Sequence, residues 1–259
     1  MIFYICIGMD LAYLNKRTLS EIVSENYVFA SILYYFGIHF FEYSNKTLEE
    51  VCKKNRIDIN RVVQELGRTI ENSSELPAIS KYPIDLLIEY LKHSHHIFAK
   101  KKLPYLACMI QALKVENPKY HQQQEDLKLL FPLFVEDFIH HIYFEEDTFF
   151  NYVLKLYRAE NDRYSFGKLF FLLEKNSVAD FASEHEAHDD VMEGIRKITN
   201  GYLTNDDTPL HLKVIYSELL SFEKELTSHA YIENNILFPK ALVIENKLKQ
   251  VFEKSSRLN

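Results

Sequence analysis

At 259 residues, 47% of them hydrophobic, the chain is long enough to bury one large core or two unequal ones. A formal charge of −7 and a pI near 5.9 offer no basic field to nucleic acid or to an anionic membrane. Six Gly and seven Pro argue against a turn-rich β-sandwich or barrel, and three scattered Cys without CxxC spacing suit a reducing cytoplasm rather than a disulfide framework or thiolate metal site.

The first stretch, MIFYICIGMDLAYLN, is apolar but lacks the basic flank and cleavage site of a signal peptide, and it is too short to span a bilayer. Met9 is an alternative start within it. From Arg17 to about Glu71 the pattern predicts a small helical unit, RTLSEIVSENYVFASILYYFGIHF and then TLEEVCKKNRIDINRVVQELGRTI across the polar turn YSNK. Thr47 with Glu50 forms a capping box, and Asp58 or Asn60 is placed to cap the next helix. The polar segment NSSELPAISKYP, residues 72–83, reads as a linker, which gives an N-terminal domain over 9–75 and a second domain over 80–255.

Four long segments with a 3.6-residue period follow, at roughly 83–115, 123–158, 163–200 and 208–250. Breaks fall near Pro118, Asn161 and the Asn205–Pro209 turn. The expected fold is all-α, an up-down-up-down four-helix bundle preceded by the small helical domain. Bundles of this kind build cofactor sites from inward-facing side chains.

HIYFEEDTFF (141–150) and HAYIENNILF (229–238) share the pattern His-x-Tyr-x-Glu. Residues four apart lie on one helix face, so His141 with Glu145 and His229 with Glu233 could each serve one metal. The chain has four such His/acid pairs, but only these two interrupt a predicted apolar stripe on both sides. One runs Leu127, Leu130, Phe134, Phe138, His141, Glu145, Phe149, Tyr152, and the other runs Leu212, Ile215, Leu219, Phe222, Leu226, His229, Glu233, Leu237. His121 with Glu125 lies in the polar run HQQQED and reads as a solvated surface pair, and the fourth pair is His185 with Asp189. A buried carboxylate beside an imidazole is costly unless it is hydrogen-bonded, ion-paired or metal-bound.

The third segment offers the stripe Val178, Phe181, His185, His188, Met192, Ile195, and the first carries HSHH at 93–96, where periodicity leaves His95 and His96 both open. Spacing favours His96: His141 follows it by 45 residues, and His229 follows His185 by 44, as in a duplicated helix pair. A single imidazole on an apolar stripe is usually a hydrogen-bonded core residue. Four imidazoles and two carboxylates converging from four helices instead suit two first-row transition ions, with each Glu able to bridge. Tyr143 and Tyr231 point about 200° from their His and belong between helices or at the surface. His93, His95, His140 and His188 are weaker ligand candidates, with His188 or Glu184 available to orient a ligand.

At these residues the chain resembles the RIC, or YtfE/ScdA-type, iron–sulfur cluster repair di-iron proteins, whose C-terminal domain is hemerythrin-like. The resemblance is carried by SHAYIENNILFPKAL (228–242), HIYFEE (141–146), ASEHEAHDD (182–190) and HHIFAKKKLPYL (95–106), and it extends over nearly the whole chain from Met9. It implies His96, His141, Glu145, His185, His229 and Glu233 as ligands of two iron ions, with Glu145 and Glu233 bridging. It further implies a cytoplasmic, metal-binding stress-response protein that serves iron–sulfur enzymes damaged by nitric oxide or peroxide, by supplying iron or by reductively removing nitric oxide. The implied partners are damaged iron–sulfur proteins and a diatomic ligand, nitric oxide or dioxygen, with no nucleic acid and no membrane, and the chain is expected as a monomer or homodimer. One departure stands out: the family's adjacent N-terminal cysteines are replaced here by Phe41 and Glu42. That loss favours, as a second reading, a hemerythrin-like module that binds or senses the diatomic ligand without repair.

Overall fold

The structure is a computed structural model that describes residues 14–71, 79–161, 166–186 and 190–256. The alternative start at Met9 and most of the 72–83 linker lie outside the described residues. Every regular element among those described is helical, so the chain is all-α as its composition predicts. Among them no helix is long and apolar enough to cross a membrane.

The N-terminal unit contains α1 (Leu19–Glu25), α2 (Val28–Tyr35), α3 (Leu48–Asn55) and α4 (Ile59–Glu71). Helices α1 and α3 start with the same device. Thr18 and Thr47 accept the N–H of Glu21 and Glu50 at 3.3 and 3.2 Å, and each glutamate accepts its threonine's N–H at 2.9 Å. The two starts lie side by side, with Leu19 N–H donating to the Lys46 carbonyl at 2.9 Å and Leu48 N–H to the Arg17 carbonyl at 3.0 Å. Asp58 caps α4 by accepting the Asn60 N–H at 3.0 Å. Thr47→Ala is expected to lower stability by about 1 kcal/mol, read from the urea midpoint.

The long segments follow. The first comprises α5 (Ile84–Ile97) and α6 (Leu103–Ala112), joined through a π-turn at Phe98–Lys102. The second comprises α7 (His121–Glu145) and α8 (Asn151–Asn161), joined through a π-turn at Glu146–Phe150. The third, expected as one helix, is three: α9 (Phe166–Lys175), α10 (Val178–Glu186) and α11 (Glu193–Ile198). The fourth comprises α12 (Leu210–Ile232) and α13 (Phe238–Ser256), joined through a π-turn at Glu233–Leu237.

The break between α9 and α10 is set by a tertiary contact. Glu245, only 1% exposed, accepts the Val178 N–H at 3.0 Å and the Tyr152 hydroxyl at 2.6 Å, while Lys249 Nζ lies 3.0 Å from its other oxygen. A carboxylate from α13 thus replaces the carbonyl that an unbroken helix would have offered. Glu245→Ala strands the buried Val178 N–H and leaves the Tyr152 hydroxyl only the Asn176 carbonyl at 3.2 Å, and is expected to cost about 2 kcal/mol in chemical denaturation.

Helix α6 packs on α7 and α12, α5 on α8, α8 and α10 on α13, α11 on α7, and α1 and α2 on α12. The buried apolar residues fall into two clusters. One joins Leu19, Leu33 and Leu66 of the N-terminal unit to Phe98, Phe138, Ile142 and Phe222. The other gathers Leu91, Phe149, Phe150, Ile232 and Leu237. Along the first, second and fourth long segments the passage from one cluster to the other falls at His95, Glu145 and His229 in turn, all buried.

Candidate metal centre

Along α5 and into the π-turn after it, the buried positions Ile84, Ile88, Leu91, His95 and Phe98 are spaced four and three apart in turn, with Leu87 buried beside them. His95 is 3% exposed, and His96, about 100° further round, lies on the exposed face. The spacing favours His96, whereas His95 is the buried one of the two. On α7 the inward stripe runs through Leu127, Phe131, Phe138 and Ile142 to Glu145, which leaves Leu130, Phe134 and His141 at its edge. On α12, Leu212, Ile215, Leu219 and Phe222 lead to His229, and Glu233 follows as the first residue of the π-turn.

These four side chains meet. One donor atom from each of His95, Glu145, His229 and Glu233 lies within 4.8 Å of all the others, and all four residues are buried. His95 Nε2 is 2.9 Å from His229 Nε2 and 3.5 Å from Glu145 Oε2. Glu233 Oε1 is 2.9 Å from His229 Nε2. The other nitrogen of His95, Nδ1, is 2.9 Å from Glu146 Oε1. Phe150 stacks on the His95 ring at 5.7 Å, and Phe98 meets the His229 ring edge-on at 5.6 Å.

The electrostatics of the group favour a cation. Burial, and next Glu233 beside it, push the Glu145 carboxyl well above the usual carboxylate range. Burial, and next His229, push the His95 imidazole down to about 3. Each group resists its ionised form because water is excluded and its neighbours are of its own kind. A metal ion at the point where the donors converge would compensate both carboxylates and accept both Nε2 lone pairs. Nitrogen and oxygen donors of this kind suit iron, manganese or zinc.

Three π-turns stand at this level, beginning three residues after His95, directly after Glu145 and at Glu233. A π-turn adds a residue to one helical turn and realigns the side chains that follow, and such turns gather at functional sites. Nothing in residue type or spacing marked them in the sequence.

The remaining predicted ligands are placed differently. His141 lies beside the group, its side chain 32% exposed and its Nε2 3.9 Å from Glu145 Oε2. His185 is on α10, but its side chain, like Glu184, His188 and Asp189, lies outside the described side chains. Tyr143 and Tyr231 are exposed, at the surface as their spacing expects. His121 and Glu125 are exposed too, and His121 Nε2 is 3.2 Å from the Val115 carbonyl.

Two cavities approach the group. One of about 950 Å³, walled by Phe134, Phe138, Phe149 and Phe181, reaches His141 and Glu145. Another of about 460 Å³, bordered by Asp190, Arg196 and Glu223, reaches His141, His229 and Glu233. In the N-terminal unit Phe41 stacks on His211 at 4.7 Å, and Cys52 is buried with its thiol pushed up to about 11. Such a thiol stays protonated at neutral pH and is a poor nucleophile or metal ligand.

No family model matches the chain. It is similar to the iron-sulfur cluster repair protein ScdA of Staphylococcus haemolyticus, 21% identical over 227 residues that cover 87% of this chain and 98% of that protein. It is similar also to proteins named iron-sulfur cluster repair protein YtfE. That of Musicola paradisiaca is 26% identical over 217 residues, 80% of this chain and 87% of the relative. That of Pectobacterium atrosepticum is 24% identical over 200 residues, 76% and 83% of the two chains.

Proposed function

We propose that the chain is a metal-binding protein of iron–sulfur cluster repair, holding a non-haem di-iron centre inside a hemerythrin-like, up-down-up-down four-helix bundle. The observation that carries this reading is the convergence of His95, Glu145, His229 and Glu233, buried, from three helices at the boundary of two apolar cores. The bundle is supported by the pairing of α5 with α8 and of α6 with α7, which sets the first two long segments antiparallel, and by α6 lying on α12. In this reading residues 9–75 form the small N-terminal domain and 80–255 the bundle.

His95, Glu145, His229 and Glu233 would hold the metal, with His141 and His185 completing the second position and His95 standing in place of His96. Bound iron supplies redox and Lewis-acid chemistry toward nitric oxide or dioxygen. The chain's own residues supply orientation and dryness: Phe98 and Phe150 fix the two buried imidazoles, and the phenylalanine-walled cavity gives an apolar molecule a route to Glu145. The repair role comes from the names of the relatives that the chain resembles along most of its length.

Protein purified anaerobically is expected to contain two iron ions per chain and to restore a nitric-oxide-damaged iron–sulfur enzyme. Absence of stoichiometric metal would sink the reading. Iron without rescue would favour the second reading, a module that binds or senses the diatomic ligand, which gains weight from the buried, high-pKa Cys52 and from Phe41 and Glu42 at the cysteine positions.

A further inference from the structure

We propose that Glu146 is a positioning residue for the metal group, its carboxylate holding the Nδ1–H of His95 so that the Nε2 lone pair faces Glu145, His229 and Glu233. The inference rests on the metal-binding reading of that group and adds a residue which the predicted ligand set does not contain.

The geometry is specific. Glu146 Oε1 is 2.9 Å from His95 Nδ1, across 51 residues of sequence, while Glu145 Oε2 is 3.5 Å from Nε2 of the same ring. Consecutive carboxylates therefore address opposite nitrogens of one imidazole. Side chains one apart on an α-helix diverge by about 100°, so both could not line one face of an ideal helix. Here they straddle a ring that enters from α5, and Glu146 opens the π-turn. Phe150, the last residue of the same π-turn, stacks on the ring with planes 7° apart. One short segment thus fixes the imidazole by its edge and by its face.

A neutral imidazole carries one proton on either nitrogen, and only the Nδ1–H tautomer leaves Nε2 free to ligate. A carboxylate accepting that proton selects this tautomer, and loss of such a partner commonly lowers metal affinity 10- to 100-fold. Glu146 is partly exposed, with Lys92, Asp147 and Glu89 near it, so the alternative is a surface carboxylate whose only role is in local charge.

The full chain carrying Glu146→Ala, Glu146→Gln or Glu89→Ala separates the two. Zinc affinity measured by chelator competition is expected to fall by 10- to 100-fold in E146A, to return to within a few-fold of wild type in E146Q, whose amide oxygen still accepts the proton, and to stay unchanged in E89A. In metal-free protein labelled with nitrogen-15 histidine, the His95 ring is expected as the Nδ1–H tautomer in wild type and E146Q, and as a tautomer mixture in E146A. Equal affinity and equal tautomer populations in E146A and wild type would overturn the proposal. So would E146Q as weak as E146A, since charge would then be what matters. Failure of the wild type to bind zinc would instead overturn the metal reading itself, a result distinguishable from loss confined to E146A.

Discussion

Glu233→Ala is expected to strip most of the bound metal, whereas Glu125→Ala leaves the metal content unchanged. Glu233 is 1% exposed, lies 2.9 Å from His229 Nε2 and stands beside Glu145, so its carboxylate sits inside the donor group. Glu125 belongs to an exposed helix turn. The same experiment on α5 tests the neighbouring imidazoles: His95→Ala should lose metal and His96→Ala should keep it. Metal per chain after dialysis against a weak chelator is one readout, and thermodynamic linkage is another. Metal at about 100 times its dissociation constant should stabilise wild type and H96A by about 2.7 kcal/mol in chemical denaturation, and E233A much less. Equal retention in E233A and E125A would remove the site assignment, and loss in H96A rather than H95A would reverse the reading of α5.

The pair His95 and His96 shows what the sequence could tell and what it could not. Duplicate spacing, 45 residues against 44, pointed to His96 because it assumes that residue number measures position along a regular helix. The π-turn at Phe98–Lys102, which lies between His95 and His141, breaks that assumption by inserting a residue, and no π-turn among the described residues stands between His185 and His229. The better signal was available on α5 itself. The stripe from Ile84 through Ile88 and Leu91 to Phe98 passes through 95 and not 96. Glu145, His229 and Glu233 each continue a long apolar stripe in the sequence, and each is buried in the structure. The sequence stripe through Leu130 and Phe134 makes His141 central, and in the structure the buried face of α7 is turned toward Phe131 and Ile142, with His141 half-buried at its edge. The break at Asn176–Ser177 was not legible, since it depends on Tyr152 and Glu245, which reach it from distant parts of the chain. Glu146 is not legible in the sequence for a similar reason: its partner lies 51 residues away.

A second large effect is expected from pH, through an acid outside the metal group, about three helical turns before His229 on α12. Glu218 on α12 is 7% exposed and faces Tyr35 of α2 and Tyr105 of α6, where the N-terminal unit packs on the long helices. Burial pushes its carboxyl up to about 7, with Lys102 pulling it down and Glu225 pushing it further up. Burial, followed by the charge on Glu218, in turn raises the Tyr35 phenol to about 12. Between the ordinary value of 4.5 and about 7, folded Glu218 keeps a proton that the unfolded chain has released. The folded state binds more protons there, so stability falls as pH rises through that window and levels off above it. A shift of this size corresponds to about 3 kcal/mol. Glu218→Gln removes the titration while keeping the volume. The variant should match wild type near pH 4 and exceed it by up to about 3 kcal/mol near pH 8, measured as urea midpoints on metal-free protein. A difference that does not change with pH would show that Glu218 keeps an ordinary acidity, with water reaching it between α2, α6 and α12. A difference that opens across pH 5 to 7 would identify this junction as the place where the fold tolerates an unfavourable buried carboxylate at neutral pH, separate from the two carboxylates that the metal would compensate.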